Sequence, residues 1–140
     1  MKKVCLLVAV AIVFTRGGAF AHEGEVHGKK HSDAQMDKFH RMMPMYAQAQ
    51  AKIKGALEKG DVATVASESE KILATIEDLK KSRPHKNPKH LGTFRKIADA
   101  FAADVRATAT MARRGDVTGA GAAFRKAEGR CNECHAGFRD

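Results

Sequence analysis

Two cysteines three residues apart, with a histidine directly after the second, stand near the end of the chain as Cys131-Asn132-Glu133-Cys134-His135. On an α-helix, residues i, i+3 and i+4 share one face, so both thiols and the imidazole would point the same way. Thiols at this spacing can form thioethers with the two vinyl groups of a haem, and the histidine can bind its iron. The pattern predicts one covalently attached haem c.

A C-x-x-C pair is also typical of redox dithiols and of zinc sites. Redox dithiols usually open a helix that follows a β-strand, and the sequence has no visible strand pattern. A structural zinc site needs four ligands, and no second cysteine pair exists to complete one. Haem attachment is therefore the favoured interpretation.

The first 21 residues have the organisation of an export signal. A charged start, residues 1–3, precedes an apolar run over residues 4–14 that is too short to span a bilayer. Residues 19–21 read Ala-Phe-Ala, which fits a signal-peptidase site. The alternative is an uncleaved anchor, but Arg16 and two glycines interrupt the run. We expect residues 1–21 to be removed, Cys5 with them, which leaves a periplasmic protein without a membrane span.

The net charge of the chain limits the kinds of partner that it can bind. The whole chain carries a net charge of +9. Loss of Lys2, Lys3 and Arg16 leaves 22 basic and 16 acidic residues, or +6. The charges are scattered and aromatic residues are few, so a nucleic-acid partner is excluded. A basic exported protein is suited instead to an acidic redox partner protein.

Residues 22–31 form a separate segment. It contains glycine, charge and three histidines (His22, His27 and His31) but no apolar period. We expect a flexible, solvated tail, and weak binding of a transition metal is the alternative.

Helical periodicity covers the remaining domain, residues 32–140. Apolar stripes predict helices over residues 32–59, about 62–81, 91–114 and 117–138, and Pro44 should kink the first helix or start it afresh. Gly60-Asp61 and Gly115-Asp116 each pair a helix stop with an N-cap, which predicts tight antiparallel hairpins. The fold class is therefore all-α, an antiparallel four-helix bundle. The haem motif continues the apolar stripe of the last helix, so the haem should lie against the core.

Four amphipathic helices ending in Cys131-Asn-Glu-Cys134-His135-Ala-Gly-Phe138-Arg139 resemble the class II c-type cytochromes, which include cytochrome c′ and the cytochrome c556 type. The resemblance implies thioethers at Cys131 and Cys134, His135 as the proximal iron ligand, and Phe138 and Arg139 near the haem. Arg139 lies one turn beyond His135, where it would reach a haem propionate or interact with the helix C-terminus.

The resemblance also places the distal side of the haem against the first helix. Cytochrome c′ has an apolar residue there and five-coordinate iron, whereas the c556 type has a methionine. Met43 aligns best with the buried stripe and is the first candidate, followed by Met42, His40 and Met45. These methionines would otherwise be core filler. His85 and His90 lie in the loop between the second and third helices; surface or partner-contact roles suit them better, but either is a further, unexpected candidate for the distal ligand.

Two functions follow. The first is a non-enzymatic periplasmic electron carrier with His/Met haem ligation, since no acid–base pair is visible. The second is a haem protein with an open distal site that binds nitric oxide or carbon monoxide. The resemblance also implies a homodimer through the first two helices, where family members often pair, and the first helix has the exposed apolar residues that such an interface uses.

Overall fold

The computed structural model describes residues 34–139, so the predicted signal segment, the His-rich tail and a capping box predicted at Ser32 lie outside the described residues. Within that range the chain is helical and contains no strand. The helices are α1 (Ala34–Lys59), α2 (Val62–Leu73), α3 (Ile76–Lys81), α4 (Leu91–Arg113) and α5 (Val117–Phe138). The predicted all-α four-helix bundle is confirmed, with α2 and α3 together forming its second helix.

The two hairpin junctions are built alike. Gly60 and Gly115 have φ values of 68° and 78°, in the left-handed region that favours glycine. The next amides close both helices, since Asp61 N donates to the Ala56 carbonyl and Asp116 N donates to that of Met111. The Asp61 carboxylate then accepts from the Thr64 amide at 3.0 Å, and Asp116 accepts from Gly119 at 2.7 Å. Each junction thus ends one helix and caps the next, as predicted.

The second predicted helix is interrupted at Ala74 and Thr75, which the sequence did not indicate. Thr75 has φ −113° and ψ 3°, outside the helical range, and its hydroxyl donates to the Ile72 carbonyl at 3.0 Å. A threonine hydroxyl that bonds a preceding carbonyl competes with helical hydrogen bonding. The Tyr46 hydroxyl lies 2.9 Å from the Thr75 hydroxyl and fixes the break against α1.

Pro44 does not start a new helix, because α1 is continuous across it. Proline has no amide hydrogen, so the carbonyl of His40 loses its usual partner four residues on. The helix bridges this one missing bond.

The two ends of the bundle are packed differently. The end with both hairpin junctions, here called the closed end, contains side chains that are fully or almost fully buried: Ile53, Val65, Ala109 and Ala120. The opposite end, here called the open end, contains the start of α1, the loop over residues 82–90 and the end of α5. Helix α5 packs most extensively on α4 and only marginally on α1, which leaves space between α1 and α5.

Candidate functional site

A cavity of about 600 Å³ lies at the open end of the bundle. Its walls come from α1, α3, α4, α5 and the 82–90 loop. Most of the lining is apolar or aromatic, from residues Phe39, Met43, Pro44, Tyr46, Ala47, Leu79, Phe94, Ile97, Ala98, Phe101 and Phe138. Exposed side chains at His40, His85, His135 and Arg139 form part of the same lining. The cavity therefore reaches the surface.

The cysteine motif lies on α5 and faces this cavity. Cys131 and Cys134 both line it, are half-buried, and are free thiols rather than a disulfide. His135 follows at the exposed rim and Phe138 is buried one turn further on. The predicted i, i+3, i+4 face thus brings both thiols and the imidazole to one space.

Burial sets the protonation of these groups. Desolvation raises the pKa of the Cys134 thiol to about 11, helped by the nearby Cys131 and Glu133. Desolvation also raises the pKa of Cys131, against a hydrogen bond from Gln50 that lowers it. At neutral pH both sulfurs are therefore thiols. Desolvation and then the charge of Arg139 lower the pKa of His135, which favours the neutral imidazole that binds a metal.

Aromatic rings form the inner wall of the cavity. Phe94 is fully buried and packs edge-to-face on Phe138, with ring centroids 5.4 Å apart, and on Phe39 at 6.3 Å. Tyr46 packs on Phe101 at 5.7 Å. Such offset and edge contacts stabilise a wall of flat surfaces. The cavity is thus bordered by rings that can pack on a flat, largely apolar cofactor.

Tyr46 is a buried member of this wall and carries a hydroxyl. The Tyr46 hydroxyl oxygen lies 2.9 Å from the Thr75 hydroxyl oxygen, and either hydroxyl can be the donor of this hydrogen bond. Desolvation raises the pKa of Tyr46 to about 12, and its hydrogen bond to Thr75 only partly opposes this. Tyr46 therefore stays neutral at pH 7 and does not compete as an anionic iron ligand.

The candidates for the distal position are in different surroundings. Met43 is half-buried and lines the cavity, whereas Met42 is 5% exposed, belongs to the core and does not line it. Met45 packs partly buried against the core and is also outside the lining. His40 lines the cavity, but its Nε2 lies 2.9 Å from Nε2 of His85. The cavity thus separates Met43 and His40 from the other two, while ligation by any of them stays a prediction.

Arg139 and Gln50 flank the motif from opposite sides. Arg139 lines the cavity, is exposed, and its amide donates to the His135 carbonyl at 3.1 Å. The predicted contact of its guanidinium with a propionate stays a prediction. The side-chain amide of Gln50, on α1, donates to Cys131 Sγ at 3.4 Å. Sequence reasoning missed Gln50, which lies one turn beyond Tyr46 on α1.

The residues present fit haem c. Two free thiols and an imidazole on one helical face are the donor set that this group requires. The cavity volume lies within the roughly 300–1,000 Å³ typical of cofactor sites. Cys131, Cys134 and His135 would hold the group against the wall formed by Phe94, Phe138 and their neighbours.

The comparisons with known proteins bear on the same region. The family model described as Cytochrome C' matches residues 89–139, which include α4 and α5 but not α1. The match covers 51 of the 140 residues and agrees, over α4 and α5, with the resemblance to class II c-type cytochromes drawn from the motif. That family implies haem c binding. No curated protein and no solved structure gave a match.

Between residues 34 and 139, every helix is too short or too polar to cross a bilayer.

Proposed function

We propose that this chain is an exported, non-enzymatic cytochrome that carries single electrons between redox proteins and holds one covalent haem c. The supporting observation is the cavity at the open end, which joins Cys131, Cys134 and His135 on α5 to Met43 on α1. When bound, haem c supplies a one-electron ferric/ferrous couple. Members of the family are typically exported to the periplasm, in line with the signal predicted over residues 1–21.

Each residue has a part in this proposal. Cys131 and Cys134 supply the two thioethers and His135 supplies the proximal imidazole. The buried rings of Phe94 and Phe138 exclude water from the inner face of the site. Met43 supplies the distal sulfur, because it lines the cavity whereas Met42 lies in the core. If His135 and Met43 both held the iron, electron transfer would require little rearrangement of the site.

Absorption spectra of ferric and ferrous protein, produced with its haem in a periplasm, test the proposal. The wild type should be low-spin at about pH 7, where His135 is expected to be neutral. Met43→Leu should convert the iron to a high-spin form that binds carbon monoxide readily. Met42→Leu is the matched control, since a swap of similar volume in the core is tolerated, and it should stay low-spin.

The outcomes separate the alternatives. If Met43→Leu stays low-spin and His40→Ala does not, the distal ligand is His40 and the carrier proposal stands with a different ligand. A wild type that is five-coordinate and high-spin in the ferrous state, and that binds carbon monoxide at once, contradicts the carrier proposal. The open distal site of a gas-binding cytochrome c′ would then be the function.

A further inference from the structure

The loop between α3 and α4 is strongly basic. Between Asp78 and Asp99 the sequence contains no acidic residue and seven lysines and arginines. Residues 83–90, here called the basic strap, contain five exposed basic side chains: Arg83, His85, Lys86, Lys89 and His90. In the described range, none of Arg83, Lys86 and Lys89 forms an ion pair, whereas nearby Lys80 is bound to Glu77 and Asp99. The charge of the strap is therefore available to a partner.

Hydrogen bonds and burial fix the basic strap beside the cavity. The side-chain amide of Asn87 donates to the Gly137 carbonyl on α5 at 2.8 Å. His85 is 2.9 Å from His40 on α1 and lines the cavity. Within the strap, the side chain of Pro84 is buried, and Asn87 adopts a left-handed φ of 53°, a conformation that asparagine tolerates. The strap thus connects the helix of the haem motif with the helix of the distal candidates.

The cavity rim has the same sign of charge. Among residues 34–139, no aspartate or glutamate lines the cavity, while Arg130 and Arg139 do. Arg130 is paired with Asp104 and Glu133. Arg139 and His85 are placed to interact with anionic groups inside the cavity, but Lys86 and Lys89 lie outside its lining. These two lysines face solvent, where a partner rather than a cofactor would meet them.

We propose that the basic strap is the docking surface for a carboxylate-rich electron-transfer protein, an inference that rests on the proposed carrier function. An anionic partner attracted to this surface would approach the cavity where the 82–90 loop meets α5. Complementary charge raises association rates by about 10- to 1,000-fold at low salt, and the effect falls steeply with ionic strength. The strap therefore provides steering, and the site beside it provides the electron.

Stopped-flow oxidation of the ferrous holoprotein tests this inference, with hexacyanoferrate(III) as an anionic probe. The strap variant is Lys86→Glu with Lys89→Glu. The control is Lys59→Glu with Arg114→Glu, two exposed cations at the closed end that give the same change in net charge. At about 10 mM ionic strength, where charges act over roughly 30 Å, the strap variant should react about tenfold more slowly than the wild type. The control should lose less than about threefold, and the difference should vanish near 1 M salt.

Poly-L-glutamate, a mimic of a carboxylate-rich protein, should slow the reaction of the wild type and the control but not of the strap variant. Equal slowing of both variants, or equal inhibition of all three proteins by poly-L-glutamate, would overturn the docking surface. A third result would also overturn the docking surface. If poly-L-glutamate had no effect, and the wild type and the control bound phosphatidylglycerol vesicles while the strap variant did not, the strap would be a lipid-binding surface. If the wild type exchanges electrons with neither hexacyanoferrate(III) nor a cationic cobalt(III) phenanthroline complex, the carrier function itself fails.

Discussion

The closed and open ends of this bundle are made from the same four helical segments, but the closed end is filled by side chains and the open end contains a cavity. At the closed end, Ile53 and Val65 are completely buried and the alanines Ala109 and Ala120 let α4 and α5 approach closely. At the open end, larger rings such as Phe94 and Phe101 border a cavity of about 600 Å³. The amphipathic pattern of the sequence is continuous along the helices. The pattern therefore determines which face of each helix is buried, but not how completely the space next to that face is filled by side chains.

The two ends also differ in how their helices are capped. The helices that begin at the closed end, α2 and α5, have aspartate caps at Asp61 and Asp116. Helix α4, which begins at the open end, starts at His90 without a side-chain cap bond. Local hydrogen bonding thus defines the closed end, whereas the open end relies on contacts between distant segments. The aspartate caps and the candidate functional site thus lie at opposite ends of one core.

Among the substitutions that compare the two ends, removal of both motif thiols at the open end should have the largest effect. Cys131→Ser with Cys134→Ser should abolish covalent haem completely, because no other cysteine lies in the described range. Mass spectrometry and extraction with acidified acetone measure the haem that remains bound. Cys5→Ser, in the predicted signal segment, is the control and should keep a full complement. Unextractable haem in the double variant would show that the open end is not the attachment site.

Replacing one isoleucine at each end by alanine compares how tightly the two ends are packed. Ile53→Ala removes a fully buried side chain at the closed end and should lower the free energy of unfolding by about 2–5 kcal/mol. Ile97, 7% exposed, already lines the cavity, so Ile97→Ala should cost about 2 kcal/mol, the low end of the same range, in haem-free protein. Urea denaturation of both variants gives the two values. Equal losses would mean that the cavity wall is packed as tightly as the closed end.

Helix caps give a smaller difference. Asp116→Ala should lower the free energy of unfolding by about 1 kcal/mol, because the Gly119 amide loses its partner. His90→Ala, at the uncapped start of α4, should change it by no more than a few tenths of a kcal/mol. Denaturation midpoints of the two variants compare the ends. A larger loss at His90 would contradict the division drawn from the cap bonds.

The smallest expected effect is the pH dependence of the cap at Asp61. Hydrogen bonds from the Thr64 side chain and amide lower the pKa of this carboxyl, so the folded state favours its charged form. Its contribution is therefore fully present above the ordinary carboxyl pKa of about 4 and is lost as the pH falls through the lowered value. The difference in thermal midpoint between the wild type and Asp61→Ala should shrink in acid. Asp61→Asn, an uncharged cap, should show no such titration of the cap, and an unchanged difference between wild type and Asp61→Ala at low pH would refute the linkage.

The sequence predicted the closed end well because its signals are local. Gly60, Asp61, Gly115 and Asp116 specify their turns through backbone conformation and capping alone, and both junctions were predicted at the right residues. The break at Thr75 was missed because it depends on Tyr46, which is distant in sequence, and no proline or glycine marks it.

At the open end, the motif residues could be predicted but most of the lining could not. The i, i+3, i+4 rule places Cys131, Cys134 and His135 together whatever the surrounding fold. Periodicity assigned Phe101 and Ile97 to the buried stripe correctly, yet it cannot distinguish a filled core position from a cavity wall. The bond from Gln50 to Cys131 depends on how α1 meets α5, which no local pattern encodes.

The topology of the bundle also implies an order of events in time. Each hairpin junction closes between residues only a few positions apart, whereas Gln50 and Cys131 at the open end are separated by 81 positions. Local contacts form sooner than distant ones because less chain entropy is lost when they close. We expect the two hairpins to form while the cysteines are still accessible, so that attachment chemistry precedes burial. Pulsed alkylation of Cys131 and Cys134 during refolding of haem-free protein should show the thiols becoming protected after helix formation, and simultaneous protection would contradict this order.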